Sequence, residues 1–463
     1  MTSIDRFAWQ ALHRHFKNDD LTGLVSSRRR FAPHLLPDIQ TVIEEQIAPL
    51  SPKLVGVQQQ DERFPMKLAD LVIREGGGVV SLTPLRYEDI DIGGAEPFAS
   101  LHNALWLFQI GHEPVAILLS QFHDYWRRVL QVEIAHLPGE EASALSRGFL
   151  RNIQAAGERS RYYRNKVLSF ELDTGGDGMQ GTMRVHRLPD IHREDVVLSE
   201  ATMARLDTHI LEFDRHREGL KRRGQSVKKG ILLYGPPGTG KTHVIRYLSA
   251  NLPGRTTILV TAEQMTIPFA IQYYIGLART LQPSIVVLED VDLVGRSRED
   301  IYSYKAEGLL NRLLNEMDGL APDADIFFIL TTNRPEDIED ALASRPGRVD
   351  EAIEVPLPDA VCREQLIKLY GHALVFENGA MADAVARSED SSAAYVKEMV
   401  RRLAQRSLAR DGGHFVSRED VEVVVGDSAV LADRLGRRIV GLSVKTSRRR
   451  RQSAEEDDSN CCD

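Results

Sequence analysis

The run Gly235-Pro236-Pro237-Gly238-Thr239-Gly240-Lys241-Thr242 satisfies the pattern G-x-x-x-x-G-K-[ST] at every fixed position. Before it stands Gly230-Ile231-Leu232-Leu233-Tyr234, a short apolar stretch that reads as a buried strand. After it comes His243-Val244-Ile245-Arg246-Tyr247-Leu248-Ser249-Ala250, with apolar residues spaced for one face of a helix. Strand, glycine loop and helix form a cradle for a nucleoside triphosphate. Glycines let successive N–H groups turn inward toward the phosphates, and the helix N-terminus adds its partial positive charge. Lys241 would bridge the β- and γ-oxygens, and the Thr242 hydroxyl would hold Mg²⁺. A chance glycine turn before a core helix is the competing reading, and eight consistent residues in context outweigh it.

Working outward, Ser284-Ile285-Val286-Val287-Leu288-Glu289-Asp290-Val291-Asp292 reads as a buried strand ending in adjacent acids. In open α/β sheets, ligands bind beyond the carboxyl ends of the strands. One acid then faces Mg²⁺ and the other the γ-phosphate. A further strand, Ile326-Phe327-Phe328-Ile329-Leu330, ends in Thr331-Thr332-Asn333-Arg334. Asn333 is the candidate to hold an attacking water. Ser344-Arg345-Pro346-Gly347-Arg348-Val349-Asp350 sets Arg345 and Arg348 about a Pro-Gly turn, which suits an arginine finger. An exposed basic turn is the plainer alternative.

The 463 residues are enough for roughly three domains, and their mix of 42% apolar and 27% charged residues is ordinary for a globular chain. A formal net charge of −9 disfavours non-specific grip on nucleic acid, and no DNA-reading motif is present. Cys362, Cys461 and Cys462 make no disulfide framework, which fits a reducing cytoplasm. No secretory signal opens the chain. The most apolar window, Ala104 to Leu119, is broken by Gln109, His112, Glu113 and Pro114, so a strand pair and not a membrane span is expected.

Four blocks follow. Residues 1–190 read as a mixed α/β N-terminal accessory domain. It has helical spacing at Phe7–Phe16, Leu35–Ile47 and Ala142–Tyr163, and strand-like runs at Leu71–Ile73, Gly78–Leu82, Lys166–Leu172 and Thr182–Leu188. Residues 191–358 alternate strand and helix signals, which argues a parallel sheet. Residues 359–440 are mostly helical in pattern, with a capping box at Ser417-Arg418-Glu419-Asp420. Residues 441–463 hold Arg448–Arg451 and then Glu455–Asp458, opposite charge blocks of the kind found in disordered tails.

The order of phosphate loop, acidic strand, Asn315–Gly319 (NEMDG), Thr331–Pro335 (TTNRP) and Arg345–Arg348 (RPGR) resembles the AAA ATPase family. The resemblance implies a large α/β nucleotide domain, a small helical lid, ATP and Mg²⁺ as ligands, and a ring, usually hexameric. It implies binding of nucleotide by Gly235, Pro236, Pro237, Gly238, Thr239, Gly240, Lys241, Thr242 and His243. It places Mg²⁺ on Thr242 and Glu289, and catalysis on Lys241, Asp290, Asn333, Arg345 and Arg348, the arginines acting on a neighbour's nucleotide. It also implies remodelling of a protein client; a slow nucleotide-gated switch or scaffold in a regulatory or defence complex is the alternative. The order Glu289-Asp290, where most relatives have Asp-Glu, is similar to the branch that includes the mitochondrial translocase of the Rieske protein. The arginine segment is one residue longer than the usual spacing, which leaves open which arginine reaches the phosphate. Met265-Thr266-Ile267-Pro268-Phe269 stands where threading relatives place an aromatic-hydrophobic-Gly element, and it has no glycine. Ser392-Ala393-Ala394-Tyr395 stands where many relatives have Ser-Gly-Ala-Asp near the adenine.

Overall fold

A computed structural model describes residues 5–17, 21–59, 64–76, 78–124, 127–173, 180–265, 270–295, 306–321, 323–337 and 349–430. The chain divides into two compact units, one of residues 1–191, 207–233 and 245–353, the other of 192–206, 234–244 and 354–463.

The first unit begins with α1 (Ala8–Phe16), β1 (Val25–Phe31), α2 (Leu36–Ile47), β2 (Lys53–Gln58), β3 (Ser81–Thr83), β4 (Tyr87–Ile90), β5 (Phe98–Leu101), β6 (Ala104–Ile110), β7 (Glu113–Asp124), β8 (Arg127–His136) and α3 (Glu140–Arg159). Six strands form one sheet in the order β1-β8-β7-β6-β2-β3, antiparallel at every pairing. The strand pair expected in the most apolar window is β6 and β7, turning at Gly111 with φ 62°. Both faces of this sheet are covered, so alternate residues of one strand enter different cores. Trp106 and Phe108 pack with Ile39, Ile43 and Ile47 of α2 and Ile153 of α3. Leu105 and Leu107 pack with Ala8, Leu12 and Phe16 of α1. Each such large apolar side chain contributes roughly 1.5–3 kcal/mol on burial. The expected strand at Leu71–Ile73 is instead a 3₁₀ turn, Asp70–Val72. There the Asp70 carboxylate accepts from the Lys67 amide at 2.8 Å and curls the chain.

The same unit continues with β9 (Val167–Asp173) and β10 (Gln180–His186). Beyond α4 (Glu200–Leu206), which belongs to the second unit, come α5 (Phe213–Arg222), β11 (Lys229–Tyr234), α6 (Lys241–Asn251), β12 (Thr256–Thr261), α7 (Ala262–Met265), α8 (Ala270–Thr280), β13 (Ser284–Glu289), α9 (Ala306–Asp318), β14 (Ile326–Thr332) and β15 (Glu351–Glu354). The strands form a seven-stranded sheet, β10-β9-β12-β13-β14-β11-β15. The pairings β9–β12, β12–β13 and β13–β14 are parallel. Central parallel strands are covered on both faces, which is why β14 is buried at every residue and reads as an unbroken apolar run. The β9–β10 hairpin, which in sequence belongs with the accessory block, is hydrogen-bonded to β12 through Val167–Ser169.

The second unit contains α10 (Ala360–Tyr370), β16 (Val375–Phe376), α11 (Ala380–Arg387), α12 (Ala393–Asp411), β17 (Phe415–Val416) and α13 (Arg418–Val430). Its core joins Leu366, Ile367, Val396, Met399, Leu403 and Val421. The capping box at α13 forms: Ser417 Oγ accepts from the Asp420 amide at 3.1 Å, and the Asp420 carboxylate accepts from the Ser417 amide at 2.9 Å. Among the described residues no helix is long and apolar enough to cross a membrane.

His34 precedes α2 with its ring buried edge-to-face against Tyr273 of α8, centroids 6.2 Å apart, and neither ring nitrogen has a hydrogen-bond partner. Burial lowers its pKa from 6.5 to about 4. The folded state thus prefers neutral His34, and its contribution is complete above the unfolded value and lost as pH falls from 6.5 toward 4. The thermal midpoint of the natural chain should fall more steeply over this window than that of His34→Phe, by the equivalent of about 3 kcal/mol. Parallel pH profiles for the two proteins would refute this.

Candidate functional site

In the second unit, the loop Gly235–Gly240 leaves β11 and enters α6 at Lys241. Gly235 has φ 149°, and a Cβ there would lie 2.2 Å from the carbonyl oxygen of Val355. That crowding has a cause: the Val355 amide donates to the Tyr234 carbonyl at 2.7 Å, so a neighbouring backbone runs hard against the start of the loop. Gly238 has φ 76°, and a Cβ there would sit 3.0 Å from Ser392 Oγ and Ala394 Cβ. The Ala394 amide donates to the Gly238 carbonyl at 3.0 Å, so the first turn of α12 rests on the loop. Ser392 caps that helix, accepting from the Tyr395 amide, while the Tyr395 side chain turns into the helical core.

Lys241 is buried, and its ammonium donates to the carbonyls of Gly235 at 2.8 Å and Pro236 at 2.9 Å. Thr239 is buried and donates to the Pro236 carbonyl at 3.0 Å. Thr242 and His243 are exposed at the start of α6, and His243 Nε2 donates to the Asp195 carbonyl at 2.9 Å. Backbone turns, a fixed ammonium, an exposed hydroxyl and a helix N-terminus are the donor set a polyphosphate requires.

In the first unit, the tips of β13 and β14 hold the acids. Asp290 stands at φ 51°, left-handed backbone that Asp tolerates better than most residues. Its amide donates to Thr331 Oγ1 at 3.0 Å, and its carbonyl accepts from the Leu293 amide at 2.9 Å. Its carboxylate Oδ1 accepts from Asn333 Nδ2 at 2.9 Å. Asp290 and Asn333, assigned from separate strands, are therefore in direct contact. Glu289 ends β13 opposite Thr261 of β12 and is half-buried. Asp292, one residue beyond Val291, is buried and accepts from Thr332 Oγ1 at 2.9 Å and from the Asn333 amide at 3.1 Å. Sequence reading gave no role to Asp292, Thr331 or Thr332. The signal was a third acid two positions after Asp290, set against paired threonines.

No group of three or more His, Cys, Asp or Glu able to hold a metal occurs among the described residues. Arg345, Arg348, Ile267 and Phe269 lie outside the described residues.

Residues 231–357 match the family model described as "ATPase family associated with various cellular activities (AAA)". The chain is 29% identical over 290 residues to the 26S proteasome regulatory subunit 8 homolog of Schizosaccharomyces pombe, covering 59% of this chain and 69% of that protein. It is 30% identical to a proteasome-activating nucleotidase of Thermococcus gammatolerans, covering 53% of this chain and 65% of that one. It is 31% identical to the ATP-dependent zinc metalloprotease FtsH 3 of Sphaerobacter thermophilus, covering 47% of this chain and 45% of that one.

Gly235→Ala should cost more than about 2 kcal/mol of stability, because the new methyl group meets backbone and not a movable side chain. An unchanged calorimetric transition would show that the loop is not constrained in this way.

Proposed function

We propose that this chain, which carries a phosphate-loop ATPase domain of the AAA family, hydrolyses ATP and uses the change of nucleotide state to remodel a protein client. The observation that carries the proposal is the bond from Asn333 to Asp290 at the tips of neighbouring strands, in the sheet whose β11 runs into the phosphate loop. A carboxylate and an amide held together at such a strand end are suited to orient a water and take its proton. Asp290 is the proposed base and Asn333 its partner in placing that water. The amides of Gly235–Gly240 and the Lys241 ammonium would bind the phosphates, with Pro236, Pro237, Thr239 and His243 shaping the loop and its exit. Lys241 now donates to two loop carbonyls and would turn those bonds toward phosphate oxygens. Thr242 and Glu289 would hold Mg²⁺, which when bound neutralises charge on the β- and γ-oxygens. The first turn of α12, Ser392–Tyr395, would pack beside the adenine.

The working assembly in this reading is a homomeric ring, a hexamer, in which Arg345 or Arg348 of one protomer completes the site of the next. A head-to-tail contact closes by rotation, so a residue on one face meets the nucleotide on the neighbour's other face. ATP orders that contact and hydrolysis releases it. The order Glu289-Asp290 supports placement in the swapped-acid branch. The antiparallel accessory sheet of residues 25–136, to which we give no chemistry, would select the client. Relatives named as a proteasome regulatory subunit, a proteasome-activating nucleotidase and an ATP-dependent zinc metalloprotease support a protein client. We place the activity in the cytoplasm. The absence of glycine from Met265–Phe269 favours a second reading, a slow nucleotide-gated switch or scaffold that threads nothing.

Lys241→Ala should lose ATP binding, while Asp290→Asn should bind ATP and turn it over at least about a hundred-fold more slowly. Binding by calorimetry and phosphate release measure the two. Normal turnover by Asp290→Asn would overturn the assigned base. Partner-stimulated turnover that is lost in Phe269→Ala marks a remodeller; a switch tolerates that change.

A further inference from the structure

We propose that Asp292 is a positioning residue, locking the tips of β13 and β14 together so that the Asn333 carboxamide is delivered to Asp290. This rests on the ATPase reading above. The bonds that carry it converge on a single atom. Asp292 Oδ1 accepts the Thr332 hydroxyl at 2.9 Å and the Asn333 backbone N–H at 3.1 Å. Thr332 Oγ1 also accepts from the Arg334 amide at 2.9 Å, and because a carboxylate oxygen only accepts, the Thr332 proton points at Asp292. Thr332 and Asn333 are thereby held by one carboxylate oxygen, and Arg334 is held through Thr332. Both ends of the lock are sealed from water, with Asp292 6% and Thr332 0% exposed. Bonds to a charged acceptor in such a place are stronger than neutral ones.

The neighbouring strand tip depends on the same lock. Thr331 accepts from the Asp290 amide at 3.0 Å, and Asp290 keeps a left-handed φ of 51°. A left-handed non-glycine residue persists only where its surroundings hold it. Asp292 belongs to the 3₁₀ turn Val291–Gly295 that begins just after Asp290 and is pinned by the Leu293 amide donating to the Asp290 carbonyl at 2.9 Å. The turn that carries the acid, the threonine pair and Asn333 thus form one closed circuit. Asp292 is the member that touches neither the reacting water nor the phosphates in the proposed chemistry.

The convergence on one oxygen makes the idea sharp. Asn at 292 keeps an Oδ1 acceptor for both donors, and Ala removes it and leaves them buried without a partner. Full-length Asp292→Ala and Thr332→Val should each lose on the order of ten-fold in kcat with ATP affinity within about three-fold of the parent. Asp292→Asn should keep most of kcat. The double variant Asp292→Ala with Asn333→Ala should be no slower than Asn333→Ala alone, since both changes remove one delivered group. Hydrogen exchange supplies a readout independent of turnover: the Asn333 amide should exchange faster in Asp292→Ala than in the parent or in Asp292→Asn. Additive losses in the double variant, equal damage from Asn and Ala, or unchanged exchange at Asn333 would each overturn the assignment. Absence of turnover in the parent chain would sink the ATPase reading, and exchange at Asn333 would then still decide the lock.

Discussion

The parallel pairing of β13 with β14, Ser284 opposite Ile326 through Leu288 opposite Leu330, is the constraint on which the acid half of the site depends. Side chains alternate faces along a strand, so a slip of one residue would turn each apolar side chain to the wrong layer. Both strands are buried along almost their whole length, which makes that slip expensive. With Leu288 and Leu330 opposed, the next residues are Glu289 and Thr331, and the acids emerge beside the threonines. The Asp290–Thr331 and Asp292–Thr332 bonds follow from this register.

The opposite end of the same strands is tied by charge. Arg255, just ahead of β12, has a fully buried side chain, with Nε 2.6 Å from Asp214 of α5 and Nη2 2.9 Å from Asp325, just ahead of β14. Lys221 of α5 meets Asp325 at 2.8 Å, and the guanidinium lies 4.1 Å from the centroid of the Phe327 ring. A buried pair of this kind does little for net stability, but losing one partner is costly because it strands the other charge. The apolar strand interior therefore has polar fasteners at both ends: a salt-bridge cluster where the strands begin and a hydrogen-bonded circuit where they end. Only the second has geometry open to chemistry, because its acceptors lie at the carboxyl ends, where loops leave the sheet.

What the sequence made legible was whatever is local. The phosphate loop, the acid-tipped β13, the polar tip of β14, the strand pair at Ala104–Leu119 and the capping box of α13 each carry their own signal within a few residues. What stayed hidden was decided by distant partners. Nothing inside Lys166–Leu172 says that this strand joins β12 and not the accessory sheet, since an apolar alternation serves either neighbour equally. Leu71–Ile73 has the composition of a strand, but the Asp70 side chain offers the backbone a competing bond and the segment turns. Asp292 looks in sequence like one more solvated acid. Its role depends on Thr332 and Asn333, forty and forty-one residues away along the chain. The crowding that makes Gly235 necessary comes from Val355, still further beyond any local window.

The order of the two acids takes on a physical meaning beside the backbone angles. Left-handed φ is tolerated by Asp because its short polar side chain can bond locally, whereas a longer side chain gains no such compensation. At φ 51° Asp290 places its carboxylate within 2.9 Å of Asn333. A Glu at this position would carry the carboxylate one methylene further, past the Asn333 carboxamide. Glu289 ends β13 in regular strand pairing, opposite Thr261 of β12. The residue with the greater reach thus stands on the unstrained backbone, and the shorter one where the chain turns left-handed and the partner is near. Read this way, the Glu289-Asp290 order is matched to the turn that follows it, and changing either acid to the other would disturb the fit between backbone and side-chain length.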